Sequence, residues 1–138
     1  MEFLNECLEY LWTNCGDPTP AIARLAERLS AEDEPFDAGQ AYLFLAEHSF
    51  LMKYYDRALE EFQRFLDRVG SEYPDDAEVR ALTFRKAGEA CMHSSVLHRN
   101  LTLAEDYLRA AYAICKANLP ALAEEMVLIC GLLSFHLF

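Results

Sequence analysis

The stretch from residue 54 to residue 66 constrains the fold of this chain most strongly. Apolar side chains recur in it at three- and four-residue intervals, and most of the intervening residues are charged or polar. This spacing predicts an amphipathic helix with one apolar stripe. A second helix with its own stripe is predicted just upstream, ending near residue 53. Because almost no loop separates the two helices and neither can cover its stripe alone, we expect them to pack antiparallel.

The residues of the two stripes resemble a tetratricopeptide repeat. The first helix of that repeat carries an aromatic residue, then Leu followed by Gly or Ala, and the matching residues here are Tyr42, Leu45 and Ala46. The second helix carries an aromatic residue, Ala-Leu and another aromatic residue, and the matching residues are Tyr55, Ala58, Leu59 and Phe62, with Leu66 at the end. The sequence departs from this pattern at Lys53, where the repeat usually has Gly in the turn between its helices.

Helix pairs are predicted on both sides of this match. Residues 1–31 form a degenerate pair, residues 37–70 the best-matching repeat, residues 75–117 a second repeat with a long connection, and residues 118–138 an apolar C-terminal helix. Gly16 is predicted to end the first helix, and the later helices are predicted to be capped by Asp17, Asp75, Thr102 and Asn118. We therefore expect one all-α domain of about seven helices. The resemblance implies a short right-handed superhelix of antiparallel pairs, a tetratricopeptide-like solenoid.

The chain is strongly acidic, with a formal net charge of -11 at pH 7. Such a surface repels nucleic-acid phosphates and anionic membranes and favours basic partners, so we expect no direct binding to nucleic acid or membranes. The N-terminus carries acidic residues instead of the basic region of a signal peptide. An odd number of unpaired cysteines suggests free thiols in a reducing compartment. These features predict a cytoplasmic protein whose cysteines are Cys7, Cys15, Cys91, Cys115 and Cys130.

No motif for catalysis or metal binding is found in the sequence. Cys91, His93 and His98 lie close together, but no Cys-x-x-Cys or His-Glu-x-x-His spacing occurs, so we expect a core thiol and exposed histidines. Neither a nucleophile elbow nor a phosphate-binding glycine loop is present. The sequence therefore predicts a non-enzymatic protein without metal or cofactor. A cysteine-based enzyme using Cys91 and His93 is the weakest alternative.

The resemblance implies a ligand-binding groove lined by the first helix of each pair. Its lining residues in this chain would be Gln40, Leu43, Glu47, Phe50, Leu51, Leu82, Arg85, Glu89, Met92 and His93. This lining is apolar with acidic positions, which suits a peptide or helix with apolar anchors and a basic residue. Family members that clamp a C-terminal carboxylate need Lys and Asn where this chain has Leu43 and Glu47. A different possibility is that Leu43, Phe50 and Leu51 pack against a neighbouring helix.

Two functions are compatible with these features. The first is a protein-interaction module, an adaptor or chaperone-like protein, whose partner is a basic and apolar protein or peptide. The second is an acidic regulatory or inhibitory subunit that blocks a basic site on an enzyme or a nucleic-acid-binding protein. Ionic strength distinguishes them, because electrostatic inhibition weakens steeply with salt and apolar binding does not.

The C-terminal helix is apolar on nearly every side. A helix that ends a repeat array normally has a polar outer face, and a bilayer span takes about 20 apolar residues, more than this helix offers. Either the helix folds back into the groove of its own chain, or a second copy or partner subunit covers it. We favour a homodimer or constitutive complex through Met126, Ile129, Leu132, Leu133, Phe135 and Phe138.

Overall fold

The structure, a computed structural model, describes residues 2–14, 16–31, 35–69, 76–94 and 100–137. The described residues form helices and no strand, which confirms the predicted all-α class. The helices are α1 (Glu2–Asn14), α2 (Thr19–Ala31), α3 (Pro35–Leu51), α4 (Tyr55–Val69), α5 (Ala77–His93), α6 (Leu101–Ala117) and α7 (Ala123–Leu137).

Packing is mainly between helices that are neighbours in the chain. The contacts of α3 with α4 and of α5 with α6 are the most extensive. The helices α2 and α3, α4 and α5, and α6 and α7 also pack together. Two contacts skip one helix, because α1 touches α3 and α5 touches α7. The first helices of successive pairs therefore lie side by side at α1–α3 and at α5–α7, whereas α3 and α5 are joined mainly through α4.

The α3–α4 pair is built from the two predicted stripes. Ala46 and Ala58 are fully buried, and so are the large rings of Phe62 and Phe65. Tyr42 is 2% exposed and belongs to the same core cluster. Burying a ring such as that of Phe62 contributes about 1.5–3 kcal/mol. The small alanines leave room for these rings between the two packed helices.

The α5–α6 pair is closer still at Gly88. A Cβ atom built on Gly88 would lie 2.8 Å from Cγ of Leu108 and 3.3 Å from the carbonyl oxygen of Ala104. Leu108 and Ala104 are fully buried, so neither can move aside into solvent. The absence of a side chain at residue 88 therefore sets the separation of the two helices.

The helix caps differ from the predicted ones at two N-termini. The carboxylate of Asp76 accepts hydrogen bonds from the backbone N–H groups of Glu78 (2.9 Å) and Val79 (3.3 Å), so Asp76 is the N-cap of α5. The predicted cap, Asp75, lies outside the described residues. At α6 the cap is Asn100, whose side-chain oxygen accepts from the N–H of Leu103 at 3.0 Å. The prediction of Thr102 was wrong, because this residue lies inside the helix.

Asn118 closes α6 instead of starting α7, which corrects a third prediction. Its side-chain amide donates to the carbonyl of Ile114 at 2.7 Å, and its backbone N–H donates to the carbonyl of Cys115 at 3.0 Å. These bonds satisfy carbonyl groups that the end of a helix leaves unpaired. The chain then turns, and α7 begins only at Ala123.

Lys53, which departs from the Gly of the repeat pattern, lies in the turn between α3 and α4. Lys53 adopts a left-handed conformation with φ of 64°. Its N–H donates to the carbonyl of Phe50 at 3.0 Å, and the N–H of Tyr54 donates to that of Ser49 at 2.8 Å. This is the Schellman arrangement, in which the left-handed residue is usually Gly because a Cβ atom is unfavourable there.

We therefore expect Lys53→Gly to raise the free energy of unfolding by about 0.5–1 kcal/mol, since the strain of a Cβ atom at positive φ is removed. Urea unfolding followed by circular dichroism measures the change. Lys53→Ala is the control, because it removes the charge and keeps the Cβ atom, and it should give no such gain. Equal gains in both variants would show that the lysine charge is responsible.

Candidate protein-binding surface

The structure divides the predicted groove residues among different environments. Leu43 and Met92 are each only 6% exposed and belong to the main core cluster. They stabilise the fold and are not accessible to a ligand, so their assignment to a binding groove is corrected here. Gln40 and Leu82 are half-buried on α3 and α5.

Arg85 and Glu89 are occupied by contacts inside the chain. The guanidinium of Arg85 donates to Glu89 at 2.9 Å and also to Glu125 of α7. All three side chains are mostly buried, with 13%, 21% and 12% of their surfaces exposed. Burial lowers the pKa of Arg85, but the hydrogen bonds and charges of the two carboxylates outweigh it and hold that pKa above its ordinary value. Here α7 covers the part of α5 that was predicted to face a ligand.

Phe50 and His93 lie at the edge of the helix layer, on either side of Tyr55. The rings of Phe50 and Tyr55 pack edge to face with centroids 5.8 Å apart, and the centroids of Tyr55 and His93 are 5.1 Å apart. This aromatic contact joins the ends of α3 and α5 through the start of α4. Its main role is to fix the relative positions of these three helices.

The remaining predicted residues, Glu47 and Leu51, border a cleft between α1 and α3. This α1–α3 cleft has a volume of about 180 Å³ and is lined by Trp12, Phe44, Glu47, His48 and Leu51. Leu51 is 78% exposed, the highest value among the exposed large apolar residues that the structure describes. The side chain of Glu47 is 45% exposed, and its only ion-pair contact within the described residues is a distant one of 4.0 Å to Lys86. The cleft thus offers an open apolar surface with a carboxylate at its edge.

Aromatic contacts hold the walls of the cleft together. The rings of Trp12 and Phe44 meet at 66° with centroids 5.5 Å apart, and those of Trp12 and His48 meet at 61° with centroids 3.5 Å apart. Edge-to-face packing of this kind adds about 0.5–1.5 kcal/mol to the burial of the rings. Since Trp12 belongs to α1 and the other two rings to α3, these contacts position α1. The cleft is therefore shaped before any ligand arrives.

A second cavity adjoins the cleft behind Trp12 and His48. It has a volume of about 340 Å³, and Asp17 and Arg57 are among its lining residues. Thr19 lowers the pKa of Asp17 through hydrogen bonds. Burial lowers the pKa of His48, the charge of Arg57 lowers it further, and the charge of Asp17 opposes both. At neutral pH the imidazole of His48 is consequently neutral and presents an aromatic face to Trp12.

This pKa shift predicts how the cleft responds to acid. A base whose pKa is depressed by folding binds fewer protons in the folded state, so folding loses stability as pH falls below the ordinary histidine value of about 6.5. We expect the His48 resonance, followed by NMR, to titrate below that value. In Trp12→Ala, which exposes the imidazole, the midpoint should rise towards it. A midpoint at or above the ordinary value in the intact protein would show that the ring is not packed as described.

The sequence analysis missed three residues of the cleft: Trp12, Phe44 and His48. Trp12 is half-buried against Phe44 and His48. Phe44 and His48 are separated by one helical turn on α3, and Glu47 lies between them in the sequence. This spacing could have indicated the cleft, because Phe44, His48 and Leu51 recur at helical intervals and therefore lie on one face of α3.

Part of the interface predicted on α7 packs against other helices of the same chain. Ile129 is fully buried, and Met126, Leu132 and Leu133 are half-buried against the core clusters. Ile129 is therefore corrected from an interface residue to a core residue. The side chains of Phe135 and Phe138 lie outside the described part of the chain. Among the described side chains of α7, the large apolar ones that are exposed are Val127 and Leu128.

The described thiol and histidine groups do not form a cluster, and His98 lies outside the described residues. Burial raises the pKa of Cys91, and its thiol donates to the carbonyl of Asn100 at 3.0 Å. Burial also raises the pKa of Cys115. Thiols with raised pKa values are poor nucleophiles at neutral pH. Among the described residues, no three His, Cys, Asp or Glu side chains are close enough to hold a metal ion. No described helix has the length and hydropathy needed for a membrane span.

Comparison with protein-family models gives no match, and comparisons with curated proteins and with solved structures give none either. The tetratricopeptide resemblance thus rests on residue spacing.

Proposed function

We propose that this chain is a non-enzymatic protein-interaction module of the tetratricopeptide type that binds its partner at the α1–α3 cleft. The observation that carries the proposal is Leu51. This leucine is 78% exposed beside the half-buried rings of Trp12 and Phe44. Exposed apolar side chains grouped around a concave surface are typical of binding sites.

The helix arrangement supports a superhelix of antiparallel pairs as the framework of this module. Each pair packs on the next through neighbouring helices, and the first helices of successive pairs touch at α1–α3 and at α5–α7. In such an array the first helices line the concave side. The α1–α3 cleft lies between two of them and is therefore on the surface that repeat proteins use for binding.

The chemistry of the cleft defines the partner. An apolar side chain fits between Trp12 and Leu51, and a Lys or Arg beside it reaches Glu47, whose carboxylate is half-exposed and weakly paired. The net charge of -11 attracts a basic segment over longer distances. The partner is thus a peptide or helix with an apolar anchor and an adjacent cation. We propose an adaptor or chaperone-like role in the cytoplasm for such a module.

The substitution Glu47→Lys tests this proposal. Random peptides displayed on phage and selected on the native protein should combine a large apolar residue with Lys or Arg. Binding of the selected peptides to Glu47→Lys is expected to weaken by about tenfold or more, because the cation then meets a like charge. Helicity and stability should barely change, since exposed ion pairs contribute about 0–1 kcal/mol. Isothermal titration calorimetry measures the affinities.

Glu105→Lys is the matched control. Glu105 is also a partly exposed helical carboxylate in an ion pair, 35% exposed and bound to Arg109, but it lies on α6 away from the cleft. Both variants change the net charge equally, so only a local contact distinguishes them. Equal loss of affinity in the two variants, together with a steep salt dependence, would favour the alternative of an acidic inhibitory subunit over cleft binding.

A further inference from the structure

The second cavity, which adjoins the α1–α3 cleft, has two opposite charges in its wall. It shares Trp12 and His48 with the cleft, and its described lining also includes Asp17 and Arg57. The other described lining residues are apolar or carry neutral polar groups. Because burial keeps His48 neutral at neutral pH, Asp17 and Arg57 are the charged groups of the described lining.

Each of the two charged side chains is held by its own part of the wall. The carboxylate of Asp17 accepts a hydrogen bond from the backbone N–H of Thr19 at 3.2 Å, at the start of α2. The guanidinium carbon of Arg57 lies over the ring of Tyr54, 5.7 Å from its centroid, in a cation–π contact. Tyr54 lines the same cavity. The two charges therefore belong to opposite elements of the structure, the start of α2 and the start of α4.

Asp17 and Arg57 interact without forming an ion pair. Hydrogen bonds from Thr19 lower the pKa of Asp17, and the charge of Arg57 lowers it further. The ion pairs among the described residues include neither Asp17 nor Arg57. A ligand group that enters the second cavity can therefore contact the carboxylate and the guanidinium together.

The opposite signs of these charges decide which group fits. A ligand carboxylate is attracted by Arg57 and repelled by Asp17, and Glu61, which accepts from Ser49 at 2.6 Å and lies near Arg57, adds to the repulsion. A ligand cation is attracted by Asp17 and repelled by Arg57. A carboxamide has N–H donors and a carbonyl acceptor on one uncharged planar group. It can donate to Asp17 and accept from Arg57, and hydrogen bonds to charged groups are stronger than those between neutral groups.

We propose that the second cavity binds the side-chain carboxamide of a Gln or Asn residue of the partner, between Asp17 and Arg57. This inference rests on the proposed function, because the second cavity and the cleft share Trp12 and His48 and one bound segment reaches both. The partner segment thus combines an apolar anchor in the cleft, a cation at Glu47 and a carboxamide in the second cavity.

Peptides displayed on phage and selected on the native protein give the first test. We expect them to carry Gln or Asn at a fixed spacing from the apolar anchor, in addition to the cation. In a synthetic selected peptide, replacing the carboxamide residue by Met, Glu or Lys should weaken binding about tenfold in each case, measured by calorimetry. Selected peptides that depend on Glu47 but show no carboxamide at a fixed position would overturn the inference and leave the proposed function intact.

Asp17→Asn and Arg57→Gln should change the preference in opposite directions. Asp17→Asn keeps an acceptor for the N–H of Thr19 and removes the repulsion of an anion, so the Glu peptide should bind this variant about tenfold more tightly than it binds the native protein. Arg57→Gln should favour the Lys peptide in the same way. Asp106→Asn and Arg109→Gln are the matched controls, because both residues are exposed on α6 and the net charge changes equally. Neither control should change the preference.

The pattern of affinities separates this inference from the proposed function. Equal loss of the Met, Glu and Lys peptides in Asp17→Asn and Arg57→Gln would indicate a purely structural effect and would overturn the carboxamide site. Unchanged preferences together with a loss of binding in Glu47→Lys would overturn it as well, and cleft binding would stand. Opposite changes of preference together with full binding to Glu47→Lys would support the carboxamide site and contradict the role of Glu47 in the cleft.

Discussion

Replacing Gly88 by leucine is expected to lower the free energy of unfolding by about 3 kcal/mol, the upper end of the usual cost of overpacking. The first added carbon alone would lie 2.8 Å from Leu108, and the carbonyl oxygen of Ala104 blocks the space beside it at 3.3 Å. Because both neighbours are fully buried, α5 and α6 must separate to admit the side chain. The gain in helix propensity from Gly to Leu, about 0.8 kcal/mol, offsets only part of this cost. Urea unfolding followed by circular dichroism measures the change.

Gly131→Leu is the matched control for this experiment. It is the same substitution in a helix interior, but no described atom of another helix lies within 4 Å of the new Cβ atom. It should be neutral or stabilising, because leucine has the higher helix propensity. Similar losses of stability at the two glycines would mean that α5 and α6 are not in the described contact.

Arg85→Met is expected to lower the free energy of unfolding by about 2–4 kcal/mol. It removes the cation between Glu89 and Glu125 and leaves two carboxylates close together in a mostly buried site. Breaking a buried ion pair on one side is costly because the remaining charge stays desolvated without a partner. The contact between α5 and α7 should loosen first, and protection of the α7 amides against hydrogen exchange should fall.

Two further variants identify the source of this loss. Adding Glu125→Gln to Arg85→Met removes one of the stranded charges and should restore most of the stability. Arg64→Met breaks an ion pair of the same helical spacing, but Arg64 and Glu60 are 44% and 62% exposed. It should cost no more than about 0.5 kcal/mol. An equally large effect at Arg64 would show that burial is not what makes Arg85 important.

The predictions from the sequence were most accurate for features that depend on residues close together in the chain. The stripes that contain Ala46 and Ala58 have a clear helical period, and both residues are fully buried. The turn at Lys53 was likewise identified as unusual from the sequence, and it has positive φ. Such features depend on neighbouring residues, so one segment suffices to predict them.

Helix ends were less accurately predicted, because several polar residues compete for each cap. Asp75 was predicted as the cap where the structure has Asp76, and Thr102 was predicted where the structure has Asn100. Asn118 was placed at the start of a helix although its amide completes the one before. The choice depends on backbone angles at one residue, which the composition of a segment does not determine.

The sequence could not indicate which predicted groove residues stay exposed, because their burial depends on distant parts of the chain. Arg85 was expected to face a ligand, but it binds Glu125, a residue 40 positions away in the sequence. Trp12 of α1 lines a cleft against residues of α3, more than 30 positions away in the sequence. Neither pairing leaves a pattern in a single helix. The stripe of each helix is therefore predictable, whereas the part of its surface that remains open is not.

The most direct measurement of cleft binding uses the fluorescence of Trp12, the single tryptophan of the chain. A peptide selected on the native protein is titrated into it, and the emission is compared with the calorimetric binding curve. We predict a saturable change in Trp12 emission with the same dissociation constant as the calorimetry, and the loss of both signals in Glu47→Lys. Calorimetric binding that leaves the Trp12 emission unchanged and persists in Glu47→Lys would contradict the assignment of the α1–α3 cleft as the binding site.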